Sequence, residues 1–399
     1  MTLPPSPAPS RTGVPTPSLV TRVVTAADPV PGWEELTAAT GALFAGPAWV
    51  SATTVLGGPV RVATVRGGDA PDSPLLGVLP FVVDETPLPG VAGRPVVRFA
   101  GTGPSDYGTV PVAPGADRRA VVAALLDAAV AAAGPAGPVL DLQQVSDLDP
   151  TAQDVRAWAA ARGRRVRVRA QAETIRRTFG PEDGRESKNR RTKDRKTLKR
   201  LGELGTVEVC GELLPDPTDC SLTDGLLAEL RAVDAAHPNA DHRNQPWTGA
   251  TGDLLALFLR TADPASRWLT GVRLDGRLVA YSFELVTDRV VATYLCSYRR
   301  EVAEVGVGTL LLHDVRRRAY AHGAVVLDLL RGLEPYKFRL ATSTHVSRRI
   351  VVLPDGRLRW TALGAALTWR QDLRPHVQRV RAWRSRRGTA PQDRPTSAE

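Results

Sequence analysis

VVATYLCSYRREVAEVGVGTLLLHDVRRRAYAHGAVVLDLLRGLEPYKFRL, residues 290–340, is the stretch from which the fold is read. It opens with β-branched and aromatic residues at 290–295, which predicts a strand. A polar, basic turn at 297–300 leads to Glu-Val-Gly-Val-Gly-Thr at 304–309. Leu310, Leu311, Val315 and Ala319 then recur at about helical spacing, so a helix is expected from Gly306, or just after it, to His322-Gly323. The apolar run 324–330 is the next strand. This order places a helix N-terminus, with its unpaired N–H groups, at the end of a sheet. Such a terminus suits an anion, and a pyrophosphate in particular. Gly306 and Gly308 have no Cβ and let the main chain come close to it. The same glycines also suit a plain tight turn, so the pair alone does not decide.

Composition bounds the rest. A chain of 399 residues with 43% hydrophobic content supports two domains with real cores. No apolar run nears the roughly 20 residues of a membrane span, so a soluble, cytoplasmic protein is expected. Residues 1–19 are Pro/Ser-rich and read as a disordered lead-in rather than a secretory signal. Cys210, Cys220 and Cys296 cannot all pair and show no CxxC spacing, which fits a reducing compartment and argues against zinc. The formal net charge is +10, and residues 185–200 (RESKNRRTKDRKTLKR) carry nine Lys/Arg against two acids, a net of +7. The remaining chain is only mildly basic, so coating of nucleic acid by the whole surface is a poor explanation.

Along the chain, residues 33–49 read as an amphipathic helix and 60–65, 75–83 and 95–99 as strands between Gly/Pro/Asp turns. GTGPSDYGTVPV at 101–112 precedes an Ala/Leu-rich helix at 117–133 and the strand VLDLQQV at 139–145. A short helix at 152–161 and strands at 165–169 and 173–179 follow. A basic helix at 186–204 has a thin apolar edge of Leu198, Leu201 and Leu204. A strand at 207–210, helices at 222–236 and 253–262 and strands at 268–273 and 277–286 lead into the opening stretch. Beyond it, a hairpin of 349–353 with 357–360, a helix at 362–383 and a frayed tail are expected.

An internal echo runs through this order. VLDLQQV at 139 and VLDLLRG at 326 each follow an Ala/Val/Leu-rich helix, itself preceded by a Gly/Tyr-containing loop. Asp141 and Asp328 mark the two copies. A duplicated α/β domain follows, with a mixed α+β sheet in each copy, although any two α/β units look alike at this resolution. The first copy has Ser105-Asp106-Tyr107-Gly108 instead of the Gly-Val-Gly turn. It is therefore expected to be a structural or acceptor-side half.

VGVGTLL, HGAVVLDLLRG and EPYKFRLA resemble the second half of the CelD-type, cellulose-biosynthesis (BioF2-like) branch of the GNAT acyltransferase superfamily, related to Fem-type peptidyltransferases. The matching positions are Gly306, Asp328, Gly332, Tyr336 and Lys337. The resemblance implies two GNAT-like lobes in tandem, at 20–172 and 173–386, with a disordered tail from 387. It also implies an N-acyltransferase that uses acetyl-CoA or another acyl-CoA, needs no metal, and acts on a small-molecule or cell-envelope amine.

Acyl transfer from a thioester to an amine needs a hold on the pyrophosphate, an N–H to polarise the carbonyl, a base and an acid. The N–H groups of Val307, Gly308 and Thr309 serve the first need, with Arg299 and Arg300 as charge partners and Gly306 opening the turn. By the resemblance, the strand ending at Cys296 and Tyr298 supplies the polarising amide. Tyr298 is also a candidate proton donor, or simply an aromatic on a strand end. Lys337, by the aromatic-Lys pair of the Fem-type relatives, would neutralise a developing oxyanion, unless it is a plain surface lysine. Tyr336 would serve the thiolate or the acceptor pocket. Asp328 is a substrate-side candidate that equally suits capping of the Arg331–Gly332 turn. Glu284 is a candidate base by position. His237, Arg243 and Trp247 are expected to line the substrate entrance, and the His237–His242 loop has no metal-ligand spacing. The basic segment is a solvated helix face, a contact for CoA phosphates or an anionic acceptor, or a grip on tRNA. The last would make the chain a Fem-like aminoacyl-tRNA-dependent transferase. A non-enzymatic nucleic-acid binder is the third reading, although no DNA-reading motif surrounds the segment. Acceptor identity, acyl length and oligomeric state are not legible.

Overall fold

The order of strands in the sheet reads the same from both ends. The computed structural model describes residues 19–70, 72–85, 95–185, 188–214, 220–242 and 245–354. The lead-in, Arg243, the 357–360 strand, the 362–383 helix and the tail lie outside these residues. Among the described residues the strands are β1 (Val20–Thr25), β2 (Arg61–Arg66), β3 (Leu75–Glu85), β4 (Pro95–Phe99), β5 (Val139–Ser146) and β6 (Val166–Thr178). The later strands are β7 (Val207–Cys210), β8 (Arg267–Leu274), β9 (Arg277–Val286), β10 (Val290–Tyr298), β11 (Val326–Arg331) and β12 (Ser343–Val352). The helices are α1 (Trp33–Thr40), α2 (Pro47–Ala52), α3 (Arg118–Ala132), α4 (Thr151–Ala161), α5 (Lys188–Gly202), α6 (Cys220–Ala235), α7 (Gly249–Thr261) and α8 (Val307–His322).

All twelve strands join one mixed sheet in the order β1-β2-β3-β4-β5-β12-β6-β11-β10-β9-β8-β7. In the first half β1 to β4 pair antiparallel, α3 crosses over, and β5 pairs parallel to β4. In the second half β7 to β10 pair antiparallel, α8 crosses over, and β11 pairs parallel to β10. The duplicated α/β organisation expected from the echo is present. β6 and β12 are exchanged at the centre. β6 follows the first half in sequence yet pairs with β11, and β12 follows the second half yet pairs with β5. The two also pair with each other. The expected lobe boundary at 172/173 falls inside β6.

Several elements differ from their sequence reading for local reasons. The helix expected at 33–49 is two helices, because Gly41 takes the left-handed conformation (φ 68°) and its N–H turns back to the Ala38 and Thr37 carbonyls. The strands expected at 165–169 and 173–179 are one, since a register shift opposite Ser347/Arg348 absorbs the residues between them. β12 begins six residues before the strand expected at 349–353. Its polar N-terminal part, Ser343 to Ser347, pairs with β6.

The halves also share a core. Phe44 and Trp49 of the first half pack with Trp247, Phe258 and Phe283 of the second, and the Trp49 ring centre lies 5.4 Å from that of Phe258. Each fully buried large side chain of this kind contributes about 1.5–3 kcal/mol. The other face of the second half is closed by α5 and α8 through Leu201, Val307, Leu310 and Leu311.

Candidate active site

The site is built where β10 parts from β11. The two strands pair in parallel only from Val290/Val326 to Ala292/Asp328. A register shift between Thr293 and Leu295 then bends β10, and it continues with β9 alone. Into the opening points the start of α8. Val307, Leu311 and Val315 are buried and fix this helix on the sheet. Gly306 precedes it at φ 88°, and among the described residues no side chain caps the terminus. A left-handed residue at this turn favours glycine. Thr309 N–H closes onto the Gly306 carbonyl (3.1 Å), so it is the amides of Val307 and Gly308 that remain to meet an anion, two rather than the three expected.

Beside this terminus lies a cavity of about 620 Å³. His237, Cys296, Tyr298, Gly306, Gly308, Thr309 and Tyr336, all expected at the site, line it together. A Cβ on Gly308 would stand 3.0 Å from the Tyr298 ring, tighter than ordinary packing, so glycine leaves this wall its shape. The Tyr298 and His237 ring centres are 5.0 Å apart. His237 Nδ1 accepts the Asn239 N–H (3.1 Å).

The remaining expected residues lie elsewhere. Arg299 donates to the Leu278 carbonyl of β9 (2.8 Å), and the Arg300 side chain donates to the Pro238 carbonyl (3.1 Å), so both are tied to neighbouring backbone instead of lining the cavity. Trp247, expected at the entrance, is core: it is buried and donates to the Tyr281 hydroxyl at 2.8 Å. Lys337 is buried, with Nζ 2.5 Å from the Arg331 carbonyl and 3.0 Å from Glu334. It ties down the loop that carries Tyr336 and is not part of the cavity wall.

Glu284 lies wholly buried on β9 opposite Thr293. The Ser282 hydroxyl donates to one carboxyl oxygen, and the other has no hydrogen-bond partner among the described residues. Burial pushes its carboxyl up to about 8, so it is protonated at neutral pH and is not a ready base there. Asp328 is also buried, and does more than cap its turn. It accepts from Leu330 N–H (2.8 Å), Arg176 Nε (2.6 Å) and the Tyr107 hydroxyl (3.2 Å). Burial raises its carboxyl against the pull of Arg176. Tyr107 belongs to the Ser105–Gly108 loop of the first half. Beside it, Asp106 pairs with Arg331, and the Tyr294 hydroxyl donates to the Pro104 carbonyl (2.9 Å). The first half thus closes the opposite side of the β10–β11 opening.

The sequence reading missed Glu334, the only carboxylate in the cavity wall among the described residues. It stands in the quoted EPYK motif, beside the Tyr336 and Lys337 that the motif singles out. Among the described residues no group of three or more His, Cys, Asp or Glu could hold a metal. No described helix is long and apolar enough to cross a membrane.

The acetyltransferase (GNAT) domain family model matches residues 188–338. That span holds α5, the diverging strands, the glycine turn and Tyr336, and the match supports placement in the GNAT superfamily. FemX has a similar structure (13% identity, 76% of this chain and 90% of that one, TM-score 0.51), which shows likeness of fold. A tandem GNAT protein from the clavulanic acid biosynthesis pathway is also similar (16% identity, 84% and 98% covered, TM-score 0.42). So is a conserved protein of unknown function from Bacteroides thetaiotaomicron (11% identity, 80% and 91% covered, TM-score 0.48). No curated protein matches by sequence.

Proposed function

We propose that this chain is a cytoplasmic N-acyltransferase that moves an acetyl or other acyl group from an acyl-CoA to an amine. The uncapped start of α8, opening on the cavity between diverging strands, carries this reading. A pyrophosphate on the Val307 and Gly308 amides would run the pantetheine arm along β10 towards Cys296. The amine nitrogen attacks the thioester carbonyl, the C–S bond breaks, and the thiolate leaves with a proton. Tyr298 stands at the strand end to give that proton. Glu334, held by Lys337, is the wall carboxylate placed to take one from the amine. His237, its ring oriented by the Asn239 N–H on Nδ1, stands in the cavity wall on the acceptor side. The ordered motifs from Gly306 to Lys337 support the CelD-type branch within the superfamily.

The cationic α5 beside the cavity keeps one other donor in view, an aminoacyl-tRNA. Thermal-shift titration with acetyl-CoA, CoA and bulk tRNA decides between them. Saturating acetyl-CoA should add about 2–3 kcal/mol of apparent stability to the wild type, as for any ligand near a hundredfold its Kd. It should add none to Gly308→Glu, whose side chain fills the cleft. Stabilisation of both proteins by tRNA, with no response to acetyl-CoA, would overturn the acyl-CoA reading.

A further inference from the structure

Next to the main cavity, α5 and the segment around Arg339 enclose a second chamber of about 280 Å³. Thr309, Leu312 and Tyr336 line both, so the chambers adjoin around the start of α8. The second is cationic. Arg190, Lys193 and Arg339 stand in its wall, and none of the described lining residues is a carboxylate. Asp194, the acid of α5, is turned inward and lies 2.9 Å from His313 Nδ1. Burial lowers the His313 pKa, so the ring is neutral near pH 7 and leaves the charge of the chamber to the three cations. The same contact pins α5 to α8. Leu201 in the core and the Thr197 hydroxyl on the Val305 carbonyl (3.3 Å) pin it further along. Arg190 and Lys193 are therefore carried on a fixed helix.

We propose that this chamber is a second phosphate subsite, taking a phosphate monoester separate from the pyrophosphate at the start of α8. Two arginine forks and an ammonium suit a dianionic monoester, which offers three acceptor oxygens. The placement rests on the acyl-CoA reading of the adjoining cavity. The monoester is either the 3′-phosphate of CoA or a phosphate on the acceptor; the chemistry recognised is the same.

Calorimetry at constant ionic strength on the full chain and on a Lys193→Gln/Arg339→Gln variant tests this, since both side chains are exposed. The probes are CoA, 3′-dephospho-CoA and inorganic phosphate. If CoA supplies the group, the wild type binds CoA about tenfold more tightly than dephospho-CoA, as one or two charge-assisted hydrogen bonds provide. The variant binds the two alike, at the dephospho-CoA affinity. If the acceptor supplies it, the wild type does not distinguish the nucleotides but still takes inorganic phosphate when CoA is bound, and the variant does not. Wild type and variant alike towards all three probes would overturn the subsite. A wild type that binds neither nucleotide, yet takes phosphate where the variant does not, would sink the acyl-CoA reading and leave the subsite standing.

Discussion

α3 and α8 begin at corresponding places in the two half-sheets and have opposite chemistry at their first turns. At α3 the Asp117 carboxylate caps the Ala120 N–H (3.2 Å). Arg118 beside it is held by Asp154 (2.7 Å) and the Thr151 hydroxyl (3.0 Å). The anion-binding capacity of that terminus is answered from within the chain. At α8 a left-handed glycine stands in the cap position, and among the described residues no side chain caps the turn. The loop before α3 has a different task, since Asp106 and Tyr107 reach across to Arg331 and Asp328. One framework thus carries two arrangements, a self-capped half that shapes the far wall and a half whose helix start is left open on the cavity.

The comparison can be broken most sharply at the paired aspartates. Asp141 is held by Arg349 (2.7 Å) and Asp328 by Arg176 (2.6 Å), each arginine lying on an exchanged strand. Asp141→Asn and Asp328→Asn should each cost roughly 3–5 kcal/mol in denaturant unfolding, because a partly buried guanidinium is left uncompensated. A large loss from only one of them would end the equivalence of the halves. Next in size is Glu284→Gln. The folded chain holds the Glu284 proton up to about pH 8, the unfolded chain only to the ordinary 4.5, so stability falls as pH rises between these values. The variant should lack this decline and be more stable by about 3 kcal/mol at pH 7, with no gain below pH 4. A gain independent of pH would show that the carboxyl is not the cause. The smallest effect tests the capped terminus itself: Asp117→Ala should cost about 1 kcal/mol and leave acetyl-CoA affinity unchanged. A change in that affinity would mean that α3 takes part in donor binding.

Much of this was legible along the chain wherever the deciding contacts are local. The bounds of α8 follow from Gly306, Gly323 and the spacing of Leu311, Val315 and Ala319, and the structure agrees to within a residue. The echo of Asp141 in Asp328 was legible because each lies in a strand that follows its own crossover helix. Contacts between distant segments left no such trace. Nothing in VRVRAQAETIRRT shows that β6 pairs with the other half, and nothing near Trp247 shows that its ring packs on Tyr281. Position near the site also misled for Arg299, Arg300 and Lys337, because nearby carbonyls draw all three cations away from the cavity.

The trade of β6 for β12 makes the half with the self-capped helix indispensable. Cut after β6, each fragment would hold a surplus strand and lack the one that completes its own layer, leaving a bare edge open to aggregation. Neither piece could readily be lost, recombined or redesigned without its sibling.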